Sequence, residues 1–221
     1  FDGITYGKGA SVLKQIIFYL GDDQFRRGIR SYFVQNAFKN TELKDFIRSL
    51  EDGSGTDLSW WSKEWLRTSG VNTIGVTFSC EAGKINKANL QQVSKLKTPG
   101  LRKHKTRVAL LYNQENELSI GKIINVVYQQ RNTKLEPLIG QKCPDAIYPN
   151  YDDHDYVLIE LDDKSQATFS ERLSDIEDDL LRMMIWRNQW DMVLNSKLPV
   201  QRYLDLVTKN LKDLHEQDIL K

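Results

Sequence analysis

One tyrosine in this chain stands where a hydroxyl can do chemistry. Tyr6 lies in the string Ile4-Thr5-Tyr6-Gly7-Lys8-Gly9-Ala10. Gly7 and Gly9 leave its phenol with little side-chain bulk around it, so a ligand can approach the oxygen closely. The same spacing also suits an ordinary amphipathic tyrosine at the edge of a core. The other chemistry-bearing residue types are scattered. His104, His154 and His215 lie far apart, and none belongs to the helical i, i+4 pair that grips a metal ion. No Cys-His or Ser-His-Asp pattern and no phosphate-binding glycine loop is present, which disfavours an intact small enzyme of another mechanism. Cys80 and Cys143 are the only cysteines. In a chain of this size they read as unpaired thiols in a reducing compartment, which makes the expected location cytoplasmic.

The elements that must position Tyr6 are helical. Val12, Leu13, Ile16, Ile17 and Leu20 form a broad apolar stripe at helical period, so the helix after Tyr6 should be buried on most of its circumference. Gly21 ends it. Phe25, Ile29, Tyr32, Phe33 and Val34 mark the buried face of a second helix to about Phe38, and Asn40 or Thr41 caps a third that carries Leu43, Phe46, Ile47 and Leu50. Gly53-Ser54-Gly55 should break that helix, and Leu58, Trp60, Trp61, Trp65 and Leu66 make a fourth that stops at Ser69-Gly70. The tryptophans read as core, since Trp61 and Trp65 share one helix face.

From Thr73 the period changes. Ile74, Val76 and Phe78 alternate with smaller or polar residues, and residues 107–112, 120–129 and 156–161 are further strands. Short strands without intervening helices argue for a small antiparallel sandwich. Beyond it, Leu173 to Met192 fits one long helix, and Pro199 begins another that carries Tyr203, Leu204, Leu206, Val207 and Leu211.

With 221 residues, 40% hydrophobic and 28% charged, the chain can form one large domain or two to three small ones. Its formal charge of +1, from 31 basic and 30 acidic side chains, gives no global attraction to nucleic acid or anionic membranes. The basic run Lys84, Lys87, Lys95, Lys97, Arg102, Lys103, His104, Lys105 and Arg107 lacks the interleaved aromatics that stack on bases. It reads as a solvated loop face. No apolar run is long enough to cross a bilayer.

The string around Tyr6, running into an apolar helix, resembles the Tyr-x-Lys-Gly segment of the aminopeptidase N family, zinc metallo-aminopeptidases of the gluzincin type. Trp61, Trp65 and Gly70-Val71-Asn72-Thr73 resemble the end of the family's thermolysin-like catalytic domain. Arg182, Trp186, Trp190 and Asp191 resemble the Arg-x-x-x-Trp-x-x-x-Trp-Asp-Met helix that starts its C-terminal helical domain. The His-Glu-x-x-His zinc motif and the further glutamate ligand are not in this sequence. The resemblance therefore implies a fragment that starts just after the zinc site. It implies that in the parent a zinc-bound water attacks the scissile carbonyl, a glutamate of the zinc motif acts as base, and the tyrosine at Tyr6 helps hold the oxyanion.

The expectation is an α+β multidomain chain: 1–70 the C-terminal helical part of a catalytic domain, 71–165 an antiparallel β-sandwich, and 166–221 the first helices of a C-terminal helical domain. Tyr6 is the expected catalytic residue. No metal ligand or cofactor-binding residue is assigned, zinc belonging to the parent and not to the fragment. The parent acts on peptides, without nucleic acid or membrane partners. A chain that starts at Phe1 inside a motif reads as a piece of a longer protein whose targeting signal is missing, inactive alone and self-associating through apolar surface exposed by truncation. The competing class is a non-catalytic interaction module, in which sandwich and helices form a binding surface and Tyr6 is structural. A zinc motif upstream of Phe1 would distinguish the two.

Overall fold

The computed structural model describes residues 3–94 and 100–210. A π-helical turn at Gly3–Lys8 runs without a break into α1 (Gly9–Leu20), with Lys8 itself helical at φ −64°, ψ −42°. Gly21, at φ +89°, ends α1 and donates its N–H to the Ile17 carbonyl at 2.8 Å. α2 (Asp22–Asn36) and α3 (Leu43–Ser54) follow, then α4 (Ser59–Trp61), extended by a second π-helical turn at Ser62–Leu66. α3 starts from a capping box between Glu42 and Asp45, not from Asn40 or Thr41. Its stop is Gly55, left-handed at φ +66°. Gly53, expected to break the helix, lies inside it for another reason. A Cβ there would sit 2.3 Å from the Gly28 nitrogen, so α2 and α3 cross backbone to backbone through their glycines.

Val12, Ile16, Leu50, Leu58, Trp61 and Trp65 form the core of this helical unit. Each buried Leu or Ile contributes about 1.5–3 kcal/mol. α1, expected to be buried on most of its circumference, buries Val12, Gln15 and Ile16, half-buries Ile17 and Leu20 and exposes Leu13. Phe33 and Val34 also face outward, and Phe38 lies past the end of α2 with its side chain in the open.

The middle of the chain forms two sheets. β1 (Asn72–Glu81), β2 (Lys84–Ser94), β5 (Asn132–Lys134) and β7 (Val157–Glu160) make one, in the order β5-β2-β1-β7. β3 (His104–Gln114), β4 (Glu117–Tyr128) and β6 (Ala146–Pro149) make the other, in the order β4-β3-β6. They share one core of Ile74, Val76 and Leu90 against Val108, Leu110, Val126 and Ile147. Pairing is not wholly antiparallel as expected. β7 lies parallel to β1, Asn72 opposite Val157 and Gly75 opposite Glu160.

The cysteines are a second correction. Cys80 and Cys143 form a disulfide with Cα atoms 5.9 Å apart. Cys80 sits at the end of the β1–β2 hairpin, and the segment before β6 folds back along that end. Gly140 N–H donates to the Ile85 carbonyl and Cys143 N–H to the Gly83 carbonyl, both at 2.8 Å, which carries Cys143 to its partner.

The last helices are α5 (Asp163–Arg172), α6 (Asp179–Leu194) and α7 (Val200–Asn210). The single helix expected from Leu173 to Met192 is divided. Asp162 caps α5 by accepting from the Lys164 and Ser165 N–H groups, Leu173–Asp175 forms a 3-10 turn, and Asp178 caps α6 through the Leu181 N–H. Leu211, expected on α7, lies outside the described residues. Phe169, Leu173, Leu181, Ile185 and Trp186 pack on the outer face of the second sheet against Ala109, Leu111, Leu118 and Tyr148. No described helix is long and apolar enough to cross a membrane.

Candidate functional site

Tyr6 projects from the π-helical turn and is 74% exposed. A Cβ built on Gly7 would meet nothing within 4 Å, so the flank of the phenol is open to a ligand. The turn and α1 form one continuous helical stretch, and the basic residue of the turn is Lys8. The turn's described tie to the rest of the molecule is that same Lys8, whose Nζ donates to the Thr68 carbonyl at 2.8 Å. Burial, and then the charge of Arg102, push the Lys8 ammonium pKa below its usual value.

Thr68 is itself held. Its Oγ1 donates to the Glu64 carbonyl. The guanidinium of Arg102, 1% exposed, donates to the Gly70 carbonyl at 2.8 Å, to the Ser69 carbonyl at 2.7 Å and to Thr68 Oγ1 at 3.1 Å. It also lies over the Trp65 ring. Glu64 Oε2 accepts the Lys103 N–H at 2.9 Å. A short stretch ahead of β3 thus clamps the segment that receives Lys8.

A second polar group is deeper. Asp155, buried at the foot of β7, accepts from His104 Nδ1 at 2.6 Å and Gln15 Nε2 at 3.1 Å on one oxygen, and from the Tyr128 hydroxyl at 2.7 Å on the other. Gln15 in turn accepts from Trp61 Nε1 at 3.2 Å. Burial, reinforced by the Asp155 charge, drives the Tyr128 pKa well up. The carboxylate therefore joins α1, β3 and β4, and the side chains that meet there are donors satisfying one buried acceptor, with Trp65 edge-on to the imidazole. This arrangement ties three elements together and leaves His104 Nε2 buried without a hydrogen-bond partner.

The basic run is corrected by the same geometry. Arg102 and His104 are buried and partnered, so the run is no uniform solvated face; Lys95 and Lys97 lie outside the described residues. A signal for His104 existed in the sequence. It stands in phase with Thr106, Val108 and Leu110, all buried, at the two-residue period of β3. Of the histidines, His104 is bound to Asp155 and His154 stacks on Phe18 at 3.9 Å, while His215 lies outside the described residues. Among the described residues, no group of three or more His, Cys, Asp or Glu is arranged to hold a metal ion. Those residues therefore do not fit a zinc site.

Residues 1–65 match the Peptidase family M1 domain. Aminopeptidase N of Streptomyces lividans is 35% identical over 219 residues, covering 96% of this chain and 26% of that protein. Probable aminopeptidase 2 of Sulfurisphaera tokodaii is 44% identical over 86 residues, 39% of this chain and 11% of its own length. Tricorn protease-interacting factor F2 of Thermoplasma acidophilum is 37% identical over 79 residues, 36% of this chain and 10% of its own. The chain thus spans at most about a quarter of the length of these relatives.

Proposed function

Since the chain belongs to the aminopeptidase N family, we propose that it is part of a zinc-dependent aminopeptidase that removes N-terminal residues from peptides, and that Tyr6 is the residue it contributes to the reaction. The observation that carries this reading is the bare phenol of Tyr6 on an open turn, in a segment that matches a peptidase domain. Zinc would be held by residues other than those described here. The part of Tyr6 is to donate its O–H to the oxygen that turns negative as water adds to the scissile carbonyl. A hydrogen bond to that oxygen strengthens in the transition state and so acts on turnover.

On this reading residues 1–70 close the catalytic domain, 71–165 form a β-sandwich domain and 166–221 open a helical domain. The chain by itself is inactive, and the exposed Leu13, Phe33, Val34 and Phe38 support self-association when it is isolated. The Cys80–Cys143 bridge supports an oxidising compartment over the cytoplasm.

The test is Tyr6→Phe in the full-length enzyme, which keeps the ring and deletes only the donor. Loss of one oxyanion donor is expected to lower kcat by roughly 10²- to 10³-fold, about 2.7–4 kcal/mol, with KM much less affected. Near-normal turnover in a folded, zinc-loaded Tyr6→Phe enzyme would reject the assignment.

A further inference from the structure

A catalytic hydroxyl is useful only if it is held in place, and the turn that carries Tyr6 is joined to a distant part of the chain. Among the described residues the Tyr6 side chain makes no hydrogen bond and is mostly in solvent. The stabilising contact comes two residues later. Lys8 leaves the turn, reaches across to the 61–70 segment and ends on the Thr68 carbonyl.

That carbonyl is a fixed point. Thr68 itself and the two residues after it are gripped by Arg102, whose guanidinium donates to Thr68 Oγ1, Ser69 O and Gly70 O while packing on Trp65. Arg102 is fixed in turn, since its N–H donates to Gln92 Oε1 at 2.8 Å and its carbonyl accepts from Gln92 Nε2 at 3.0 Å. A continuous set of contacts therefore runs from β2 through Arg102 and Thr68 to Lys8, and ends two residues from the phenol.

We propose that Lys8 is the positioning residue for Tyr6, and that through the Thr68 carbonyl it makes the paired sheets the external support of the catalytic turn. This rests on the reading that Tyr6 acts in the reaction. A charged donor long enough to reach that carbonyl suits the role. Its bond to a carbonyl is directional, and a displacement of the reacting group by about 1 Å can lower a rate by as much as 10²-fold. The proposal gives the paired sheets a part in turnover without any contact with substrate.

The test is a double-mutant cycle in the full-length, zinc-loaded enzyme, with amide exchange as a readout independent of activity. Lys8→Met is expected to lower kcat about 10-fold, inside the range that misplacement of a reacting group produces, with KM nearly unchanged and thermal unfolding shifted little. Amide exchange in the turn should speed up by a similar factor. Lys8→Arg, which can still reach the carbonyl, should restore most of both. In the Tyr6→Phe background Lys8→Met should cost nothing further, because its effect passes through the hydroxyl already removed. Full kcat in Lys8→Met beside a crippled Tyr6→Phe enzyme would overturn this inference and leave the role of Tyr6 standing. An equal, additive loss in both backgrounds would overturn it too. Normal turnover in Tyr6→Phe would remove the reading beneath it. If Lys8→Met does not fold, Lys8→Gln, a donor too short to reach Thr68, takes its place with the same expectations.

Discussion

Removing the carboxylate of Asp155 should loosen three parts of the molecule at once. The side chain is 4% exposed in relative terms as a residue and accepts three hydrogen bonds, from His104, Tyr128 and Gln15. The Asp155 backbone is secured separately: its N–H donates to Asn150 Oδ1 at 2.7 Å and its carbonyl accepts from Asn150 Nδ2 at 3.0 Å. A substitution at Asp155 therefore acts on the network and leaves the loop conformation in place. Asp155→Ala strands three buried donors, and removing one partner of such a buried charged group costs about 3–5 kcal/mol. Asp155→Asn should be milder. Its carbonyl oxygen can still accept from His104 and Gln15, and the Tyr128 hydroxyl can rotate to accept from the new amide. What is lost is the charge on the acceptor, and charge-assisted bonds are roughly twice as strong as neutral ones. With about 1 kcal/mol lost per bond, the expected cost is about 2–3 kcal/mol. Urea unfolding followed by tryptophan fluorescence is a direct assay, because Trp61 and Trp65 both touch the network. The order wild type, Asn, Ala in midpoint is the expected result. An Asp155→Ala protein within about 1 kcal/mol of wild type, or an Asn variant as damaged as Ala, would refute the reasoning.

Two further changes test the frame. The bridge between Cys80 and Cys143 closes a sequence separation of 63, which in the chain-entropy account is worth about 4 kcal/mol. The double variant Cys80→Ala, Cys143→Ala should lose most of that in denaturant midpoint, and protein made in an oxidising host should show no titratable thiol until it is unfolded and reduced; two reactive thiols in the native protein would refute the bridge. Gly53→Ala should destabilise although alanine is the better helix former. The new methyl meets the Gly28 backbone at 2.3–2.5 Å, and overpacking of about 1–3 kcal/mol exceeds a propensity gain of about 1 kcal/mol. A raised melting temperature in Gly53→Ala would show that α2 and α3 do not cross through these glycines.

Much of the frame can be read from the residues alone, and the failures have particular causes. β1 is legible because Ile74 and Val76 alternate cleanly with smaller side chains. β2 is hidden because the pairing slips between Ser79 and Cys80, so its buried residues Ile85 and Ala88 stand three apart and the two-residue period is lost among lysines and asparagines. The disulfide follows from the register of residues 140–143 along β2, which neither cysteine reveals. Gly53 looks like a helix breaker because a glycine used for close approach and one used for a left-handed stop are the same letter. At the candidate site, Tyr6 is legible through its resemblance to a known segment, whereas the bond from Lys8 to a main-chain carbonyl has no residue-type partner for a sequence to show. Arg102 and His104 are hidden by their polarity, since such side chains are seldom buried and are kept there only where partners surround them.

The parallel seating of β7 beside β1 bears on how the chain assembles. The β1–β2 and β3–β4 hairpins are local and can close as soon as each is made, whereas β7 pairs with residues 72–75 only after the chain has reached 157–160. Until then the flank of β1 is a bare edge with unpaired amides and carbonyls, the kind of template on which chains join wrongly. Long-range parallel pairing is slow to form, so this strand should be the last of the two sheets to dock, both during synthesis and on refolding. The arrival of that strand also delivers Asp155 to His104 and Tyr128. Completion of the sheet and completion of the buried network are thus one event, and aggregation of newly made chains should depend on how long that event is delayed.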